Sequence, residues 1–266
     1  MSTYVISDVH GYAKRFFDLL DQIEFNPRED ELYVLGDIID RGPEVGEMCE
    51  WAWNNKDNDH IHFLLGNHED MMLYSMRQPY HYWDDMAYCE DNISHSPHIW
   101  FWNGGERTYE DLMTWEESKR HDFIKWVDTW PLFYDIEVNG RRFVMVHAGM
   151  ALRGVKLNDD HFDGGKNQDV EIPSFGTQWS QTLLWVRESW LTDCWTKLPC
   201  DVIFGHTPTY TIYPILQFFK DDPHVKYEGG ENDILHINGR KHAIDTGRSR
   251  MGILRLDDMK EWYSEK

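Results

Sequence analysis

Three times between Thr3 and Glu69 a short apolar run ends and side chains able to bind a metal follow at once. Thr3-Tyr4-Val5-Ile6 runs into Ser7-Asp8-Val9-His10-Gly11. Leu32-Tyr33-Val34-Leu35 runs into Gly36-Asp37, with Asp40 and Arg41 just beyond. Ile61-His62-Phe63-Leu64-Leu65 runs into Gly66-Asn67-His68-Glu69. Runs this short and this rich in strand formers read as buried strands. In open α/β sheets the ligand crevice lies outside the carboxyl ends of the strands, so each repeat delivers polar side chains to one place. Helical spacing fills the gaps: Phe16, Leu19, Leu20 and Ile23 up to the break at Asn26-Pro27, a helix over Glu44 to Trp53, and one opening at Asn67 that carries Met71, Met72 and Met76. The alternation predicts an α/β chain with a largely parallel sheet.

From residue 70 to 131 the composition turns dense in Trp, Tyr, Met and His, with Phe123, Trp126, Val127 and Trp130 at helical spacing. This reads as a helical cap or insertion whose aromatics form core, since amphipathic helices bury such stripes. Asn103-Gly104-Gly105 is a turn within it. Asn139-Gly140 then predicts a hairpin of Leu132 to Val138 with Arg142 to Val146, and its second strand delivers His147-Ala148-Gly149. Ala151 to Ser180, with Gly164-Gly165, reads as a long irregular surface loop. Leu183 to Arg187 follows, with Arg187 on a helix face. Val202-Ile203-Phe204 then leads into Gly205-His206, and late strands at Ile234 to Ile237, His242 to Ile244 and Gly252 to Leu256 complete a mixed set with antiparallel members. A length of 266 residues suits a single α/β domain with insertions.

The strand-end residues have a common chemistry. Asp8, His10, Asp37, Asn67, His147 and His206 are oxygen and nitrogen donors that suit Mn, Fe or Zn. One histidine after a strand is ordinarily a core residue, but six donors recurring at strand ends are not explained that way. A carboxylate such as Asp37 can bridge two divalent ions, with Asp8 and His10 completing one site and Asn67, His147 and His206 the other. Ions about 4 Å apart clamp a displacement at phosphorus, and coordination lowers the pKa of water to about 7. His68 is then the candidate general acid, with Asp40 orienting its imidazole. Arg41 and Arg187 have the fork geometry that grips phosphoryl oxygens.

Charge narrows the partners. Acidic residues outnumber basic ones 47 to 26, for a net charge of −21, which argues against nucleic acid. Any phosphate site must be made locally positive by metal ions and a few arginines. Cys49, Cys89, Cys194 and Cys200 form no CxxC pair and read as free thiols of a reducing compartment. No run approaches a membrane span and the first residues lack a leader pattern, so a cytoplasmic protein without a membrane partner is expected.

In order along the chain, SDVHG, GDIIDRG, GNHE, NGG, VHAG, LLWVRE, DVIFGHTP and AIDTG resemble the motifs of the bacterial and phage-type serine/threonine protein phosphatases, of the calcineurin-like metallophosphoesterase superfamily. The resemblance covers most of the chain. It implies two mixed β-sheets sandwiched between helices (α/β/β/α), a two-metal centre on the six donors above, with Mn as the expected metal and Fe or Zn as alternatives, His68 paired with Asp40, and phosphate contacts from Arg41 and Arg187. Ser7 departs from the glycine usual in the family, a change under the metal site that removes no ligand. The expected reaction is phosphomonoester hydrolysis on phosphoproteins or a phosphorylated small molecule. The alternative is symmetrical cleavage of dinucleoside tetraphosphates, as in the similar diadenosine tetraphosphatases. Those relatives often lack the acidic residue before the Arg and carry GNHD, whereas this chain has Asp40-Arg41-Gly42 and GNHE. Residues 141 to 156 hold Arg141, Arg142, Arg153 and Lys156, cations that could receive a polyphosphate. A catalytically dead scaffold would require a lost ligand, and none is missing.

Overall fold

The computed structural model describes residues 1–77, 98–152, 165–193, 196–247 and 249–265. In chain order the elements are β1 (Thr3–Ile6), α1 (Ala13–Gln22), β2 (Glu31–Val34), α2 (Val45–Asn54), β3 (Ile61–Phe63), α3 (Asn67–Arg77), α4 (His98–Trp102), α5 (Glu106–Met113), α6 (Glu117–Val127), β4 (Phe133–Val138), β5 (Arg141–Val146), β6 (Asp169–Ile172), β7 (Gly176–Trp179), α7 (Ser180–Trp185), α8 (Glu188–Thr192), β8 (Asp201–Phe204), α9 (Thr209–Phe218), β9 (Tyr227–Glu228), β10 (Leu235–Ile237), β11 (Lys241–Ala243), β12 (Gly252–Arg255) and β13 (Lys260–Tyr263).

Two mixed sheets carry the fold. The first has the order β13-β12-β1-β2-β3, and the second β4-β5-β8-β11-β10-β9. β1, β2 and β3 run parallel, as do β5, β8 and β11, with antiparallel strands at the edges. Side chains alternate across a strand, and the two faces are sorted accordingly. Val5 and Tyr33 from the first sheet meet Phe143, Met145 and Ile203 from the second, so these faces pack on each other. Tyr4, Ile6, Leu32 and Val34, and on the second sheet Val144, Val146, Val202 and Phe204, belong to the cluster that also buries Phe16 and Leu19 of α1, Met48 of α2 and Ile212 and Leu216 of α9. Helices therefore cover both outer faces, the layered arrangement that the family resemblance implied. Strands buried on both faces explain why their runs are apolar without alternation.

The aromatic segment is core where it is described: Trp100, Phe123, Val127 and Trp130 are all buried in the same cluster. Residues 78–97, including Cys89, lie outside the described residues, as do 153–164 and Cys194. Cys49 and Cys200 are free and buried. The expectation of an irregular loop from Ala151 to Ser180 is corrected, because β6 and β7 pair there as an antiparallel hairpin from Asp169 to Trp179. Its Asp-Val-Glu-Ile alternation is only four residues long, too short to stand out among polar neighbours. β12 and β13 form a hairpin that extends the first sheet rather than the second, and β13 had no counterpart in the sequence reading. No helix among the described residues is long and apolar enough to cross a membrane.

Candidate metal centre

Each donor follows directly on a strand or opens the helix after it. Asp8 and His10 follow β1, Asp37 follows β2, Asn67 and His68 begin α3, His147 follows β5 and His206 follows β8. The loops are tightly constrained. Asp8, His10, Asp37, Asp40, Arg41 and His206 all adopt positive φ, between 46° and 71°. Left-handed conformations at residues other than glycine cost on the order of 1 kcal/mol each and persist where the surrounding structure over-determines them. The six are the majority of the eleven such residues described, so strain is concentrated at this site.

Two groups of side chains converge on one carboxylate. His10, Asp37 and His68 form one, and Asp37, His147 and His206 the other. Asp37 Oδ2 lies 3.6 Å from His10 Nε2 and 3.5 Å from His147 Nε2. Asn67 Oδ1 is 2.8 Å from His147 Nε2 and 2.9 Å from His206 Nδ1. Asp8 stands beside the second group, its Oδ2 accepting the backbone N–H of His206 at 2.9 Å. All six expected metal donors are thus brought together.

The tautomers fit a cation. His10 Nδ1 faces the carbonyl of Ile39 at 2.9 Å and His147 Nδ1 that of Leu35 at 2.8 Å. A carbonyl only accepts, so each Nδ1 carries the proton and each Nε2 offers a lone pair toward Asp37. Burial pushes His10 and His206 well below the ordinary histidine range, with His68 and Arg187 respectively adding to the effect, and burial also lowers His147. These rings are therefore neutral, the form that binds metals. Asp37 is driven well upward by burial and by the charges of Asp8 and Glu69. Lone pairs from imidazoles, an amide and a carboxylate facing one another repel unless positive charge lies among them, and that donor set fits divalent ions.

Outside the donors, His68 is 1% exposed, and its Nδ1 donates to Asp40 Oδ2 at 2.6 Å. Arg41 reaches His10 Nε2 with Nη1 at 2.6 Å and His68 Nε2 with Nη2 at 2.7 Å. Arg187 sits in the joint between α7 and α8, not on a helix face as the sequence reading had it, because the backbone turns there (φ −126°, ψ −86°). Its charge depresses both His147 and His206, which puts it on the same centre. Arg141 and Arg142 are not part of the centre: they pair with Asp201 and Asp135 at the start of β5. Arg153 and Lys156 lie outside the described residues.

Several supporting residues had no assigned role in the sequence reading. Glu69, fully buried, accepts the backbone N–H groups of Asp37 at 2.8 Å, Ile38 at 2.9 Å and Gly66 at 3.1 Å, and so ties the second strand-end loop to the third. Asp40, also fully buried, is held by Trp100 Nε1, which donates to Oδ2 at 2.9 Å, and by Thr108 Oγ1, which donates to Oδ1 at 2.5 Å. Burial raises Asp40 to about 7, while Thr108, Trp100 and Arg41 oppose that by favouring the carboxylate. The Asn103-Gly104-Gly105 turn holds the neighbouring Arg41, whose backbone N–H donates to the carbonyl of Gly104 at 3.2 Å. Asp245, from the AIDTG motif, is buried with its carboxyl driven well upward by burial and by Asp8. Ser7 donates its hydroxyl to Asp8 Oδ2, and a Cβ on Gly205 would overlap that hydroxyl, so a glycine opposite makes room for the unusual serine.

The family model for calcineurin-like phosphoesterases matches residues 1–245. The chain belongs to this family. Among curated relatives, a symmetrical bis(5'-nucleosyl)-tetraphosphatase from Chromobacterium violaceum is 27% identical over 150 residues, 56% of this chain and 44% of the relative. One of the same name from Buchnera aphidicola is 41% identical over 69 residues, 26% of this chain and 24% of the relative. The matches thus span less than half the length of these relatives. Solved structures agree on the calcineurin-like fold. A crystal structure described as a candidate diadenosine tetraphosphatase superposes with TM-score 0.51 at 13% identity, covering 98% of this chain and 91% of that one. A Saccharomyces cerevisiae serine/threonine phosphatase similar to human PP5 gives 0.50 at 12%, covering 100% and 80%.

Proposed function

We propose that this phosphoesterase cleaves dinucleoside tetraphosphates symmetrically, using two divalent cations, Mn²⁺ foremost, held by Asp8, His10, Asp37, Asn67, His147 and His206. Fe²⁺ and Zn²⁺ suit the same donors. The observation that carries the substrate class is the activity named for the curated relatives, and it ranks this reading above the phosphoprotein phosphatase expected from the motifs. When bound, the cations supply an activated water and positive charge against phosphoryl oxygens.

The chain's own residues supply the rest. Asp37, between the two donor groups, serves both. Arg41 and Arg187 bring fixed positive charge to the phosphoryl group being attacked, in a protein whose overall charge repels it. Hydrolysis forms a bond from phosphorus to the water oxygen and breaks the bridging P–O bond. The leaving oxygen takes a proton from His68 Nε2, which must first exchange its contact with Arg41 Nη2 for that oxygen and gain a proton, while Asp40 stabilises the imidazolium through Nδ1.

One observation favours a second reading, hydrolysis of phosphoserine or phosphothreonine in proteins. A buried carboxylate 2.6 Å from His68 is the support an acid needs when the leaving group is a poorly leaving alkoxide. A nucleoside diphosphate leaves with much less help. A panel under Mn²⁺ decides between them: diadenosine tetraphosphate, phosphoserine, phosphothreonine and phosphotyrosine peptides, and p-nitrophenyl phosphate. The proposal requires the highest kcat/KM for the tetraphosphate, with ADP as the product. A phosphopeptide ranked first would replace it with the second reading.

A further inference from the structure

β5, β8 and β11 run parallel, and their carboxyl ends lead to His147, His206 and Asp245. Their amino ends, Arg141, Asp201 and Lys241, open on the other edge of the sheet. From Asp201 to His206 is five residues, or roughly 17 Å at ~3.3 Å per residue. At that far edge lies a cavity of about 940 Å³.

Its charge is the reverse of the chain's. Arg141, Lys197, Lys226, Arg240 and Lys241 line it against Asp193, Glu228 and Glu261, whereas acidic residues lead 47 to 26 in the whole sequence. Three of these cations, Lys197, Lys226 and Arg240, are exposed at the rim, and none has a side-chain hydrogen bond or ion pair among the described residues. Exposed cations that share a concave surface without carboxylate partners are disposed to take an anion.

The cavity wall also holds a row of paired titratable groups. His236 and His242 face each other through their Nδ1 atoms at 2.6 Å. His236 Nε2 meets Glu261 Oε1 at 2.7 Å, and His242 Nε2 meets Asp201 Oδ1 at 2.9 Å. Each of these three contacts needs one proton, and with both carboxylates ionised the protons must come from the rings. Two neutral imidazoles carry two, so the row is one proton short of pairing every contact, and burial disfavours a charged ring at His242. Arg141 donates to the same Asp201, so its charge is already paired and the cavity's unpaired cations among the described residues are those at the rim.

We infer that this cavity is a second anion-binding site, separate from the metal centre, for a small phosphate-bearing molecule seated against Lys226 and Arg240. The site stands whichever substrate the metal centre takes. The test is a titration of the ¹⁵N-labelled, zinc-loaded chain with inorganic phosphate, followed by ¹H–¹⁵N correlation spectra. Sodium chloride at matched ionic strength is the control. Amides of Asn238, Gly239 and Arg240 should shift in a saturable way, alongside a separate set from the loops around Asp37 and Asn67. In Lys226→Glu/Arg240→Glu the first set should weaken at least about tenfold in affinity while the second persists. Hydrolysis of p-nitrophenyl phosphate by this variant should be unchanged, and Lys226→Ala alone should give a milder loss. Failure of residues 238–240 to respond in the wild type, an equal response to chloride, or an undiminished response in the double variant would overturn the inference.

Discussion

Asp40 is a fully buried carboxylate with a donor on each side, and the chemistry assigned to His68 depends on its staying ionised there. Trp100→Phe isolates that dependence by removing one donor, while Thr108→Val also removes the acceptor of the Asp40 backbone N–H. Trp100→Phe and Thr108→Val should each lower kcat by about tenfold, since a hydrogen bond to a charged group contributes roughly 1.5–3 kcal/mol, with KM and bound metal unchanged. Thr108→Ser, which keeps the hydroxyl, should restore turnover, and steady-state kinetics with elemental analysis reads all three. His68→Asn should cut turnover about 10²–10⁴-fold on alkyl phosphates and less on p-nitrophenyl phosphate. Equal losses across leaving groups would remove the acid role. The pairing of His68 with Asp40 was legible in the sequence because both lie in strand-end loops. Trp100 and Thr108 were not, because each sits 60 or more positions from Asp40 among aromatics that read as core. Trp100 is indeed core, and its ring N–H is a donor as well. A different residue contributes to stability in acid. Asp201 is held down to about 2; burial opposes this, and hydrogen bonds from His242 and Arg141 outweigh it. A depressed carboxyl stabilises the fold above its unfolded pKa, near 4, and that contribution is lost as pH falls toward 2. Acid titration of Asp201→Asn should show a shallower slope in that window, with a loss on the order of 1–2 kcal/mol at neutral pH.

At the scale of elements, the site is a set of strand-end loops locked to one another. Glu69 is the lock between two of them, and Gly66 leaves the space it needs, since a Cβ there would overlap Asp37 Oδ1. Glu69→Ala strands three buried backbone N–H groups, each costing about 1–3 kcal/mol when unsatisfied. The variant should melt well below the wild type and bind Mn²⁺ more weakly, by thermal denaturation and metal titration. An unchanged melting temperature would contradict the role given to Glu69. Strands β1, β2, β3, β5 and β8 were legible because each is an apolar run closed by glycine or a metal-type donor. The β6–β7 hairpin was missed because four-residue alternation in a polar stretch carries little signal. Arg187 was placed on a helix because the apolar run before it, Leu183 to Val186, has no break in sequence. The turn that separates α7 from α8 is made by the backbone dihedrals of Val186 (φ −59°, ψ 136°) and Arg187 together.

For the whole molecule, electrostatics and topology pull in opposite directions. A net charge of −21 is unfavourable to anions at long range, while the layered fold gathers neutral imidazoles, carboxylates and two arginines where bound cations would reverse the local sign. Added salt should therefore raise kcat/KM for diadenosine tetraphosphate at low ionic strength by screening that repulsion, and a steady fall with salt would show that local charge dominates the encounter. The two-metal proposal has the strand ends forming one hydrolytic centre in which Asp37 would serve both ions. Its most direct test is to strip the chain with chelator, return Mn²⁺ stepwise, and follow bound metal by elemental analysis together with hydrolysis of p-nitrophenyl phosphate. Activity should reach its plateau only as the metal content reaches two ions per chain, and Asp37→Ala should reach neither. Full turnover by protein shown to be free of metal would contradict the account.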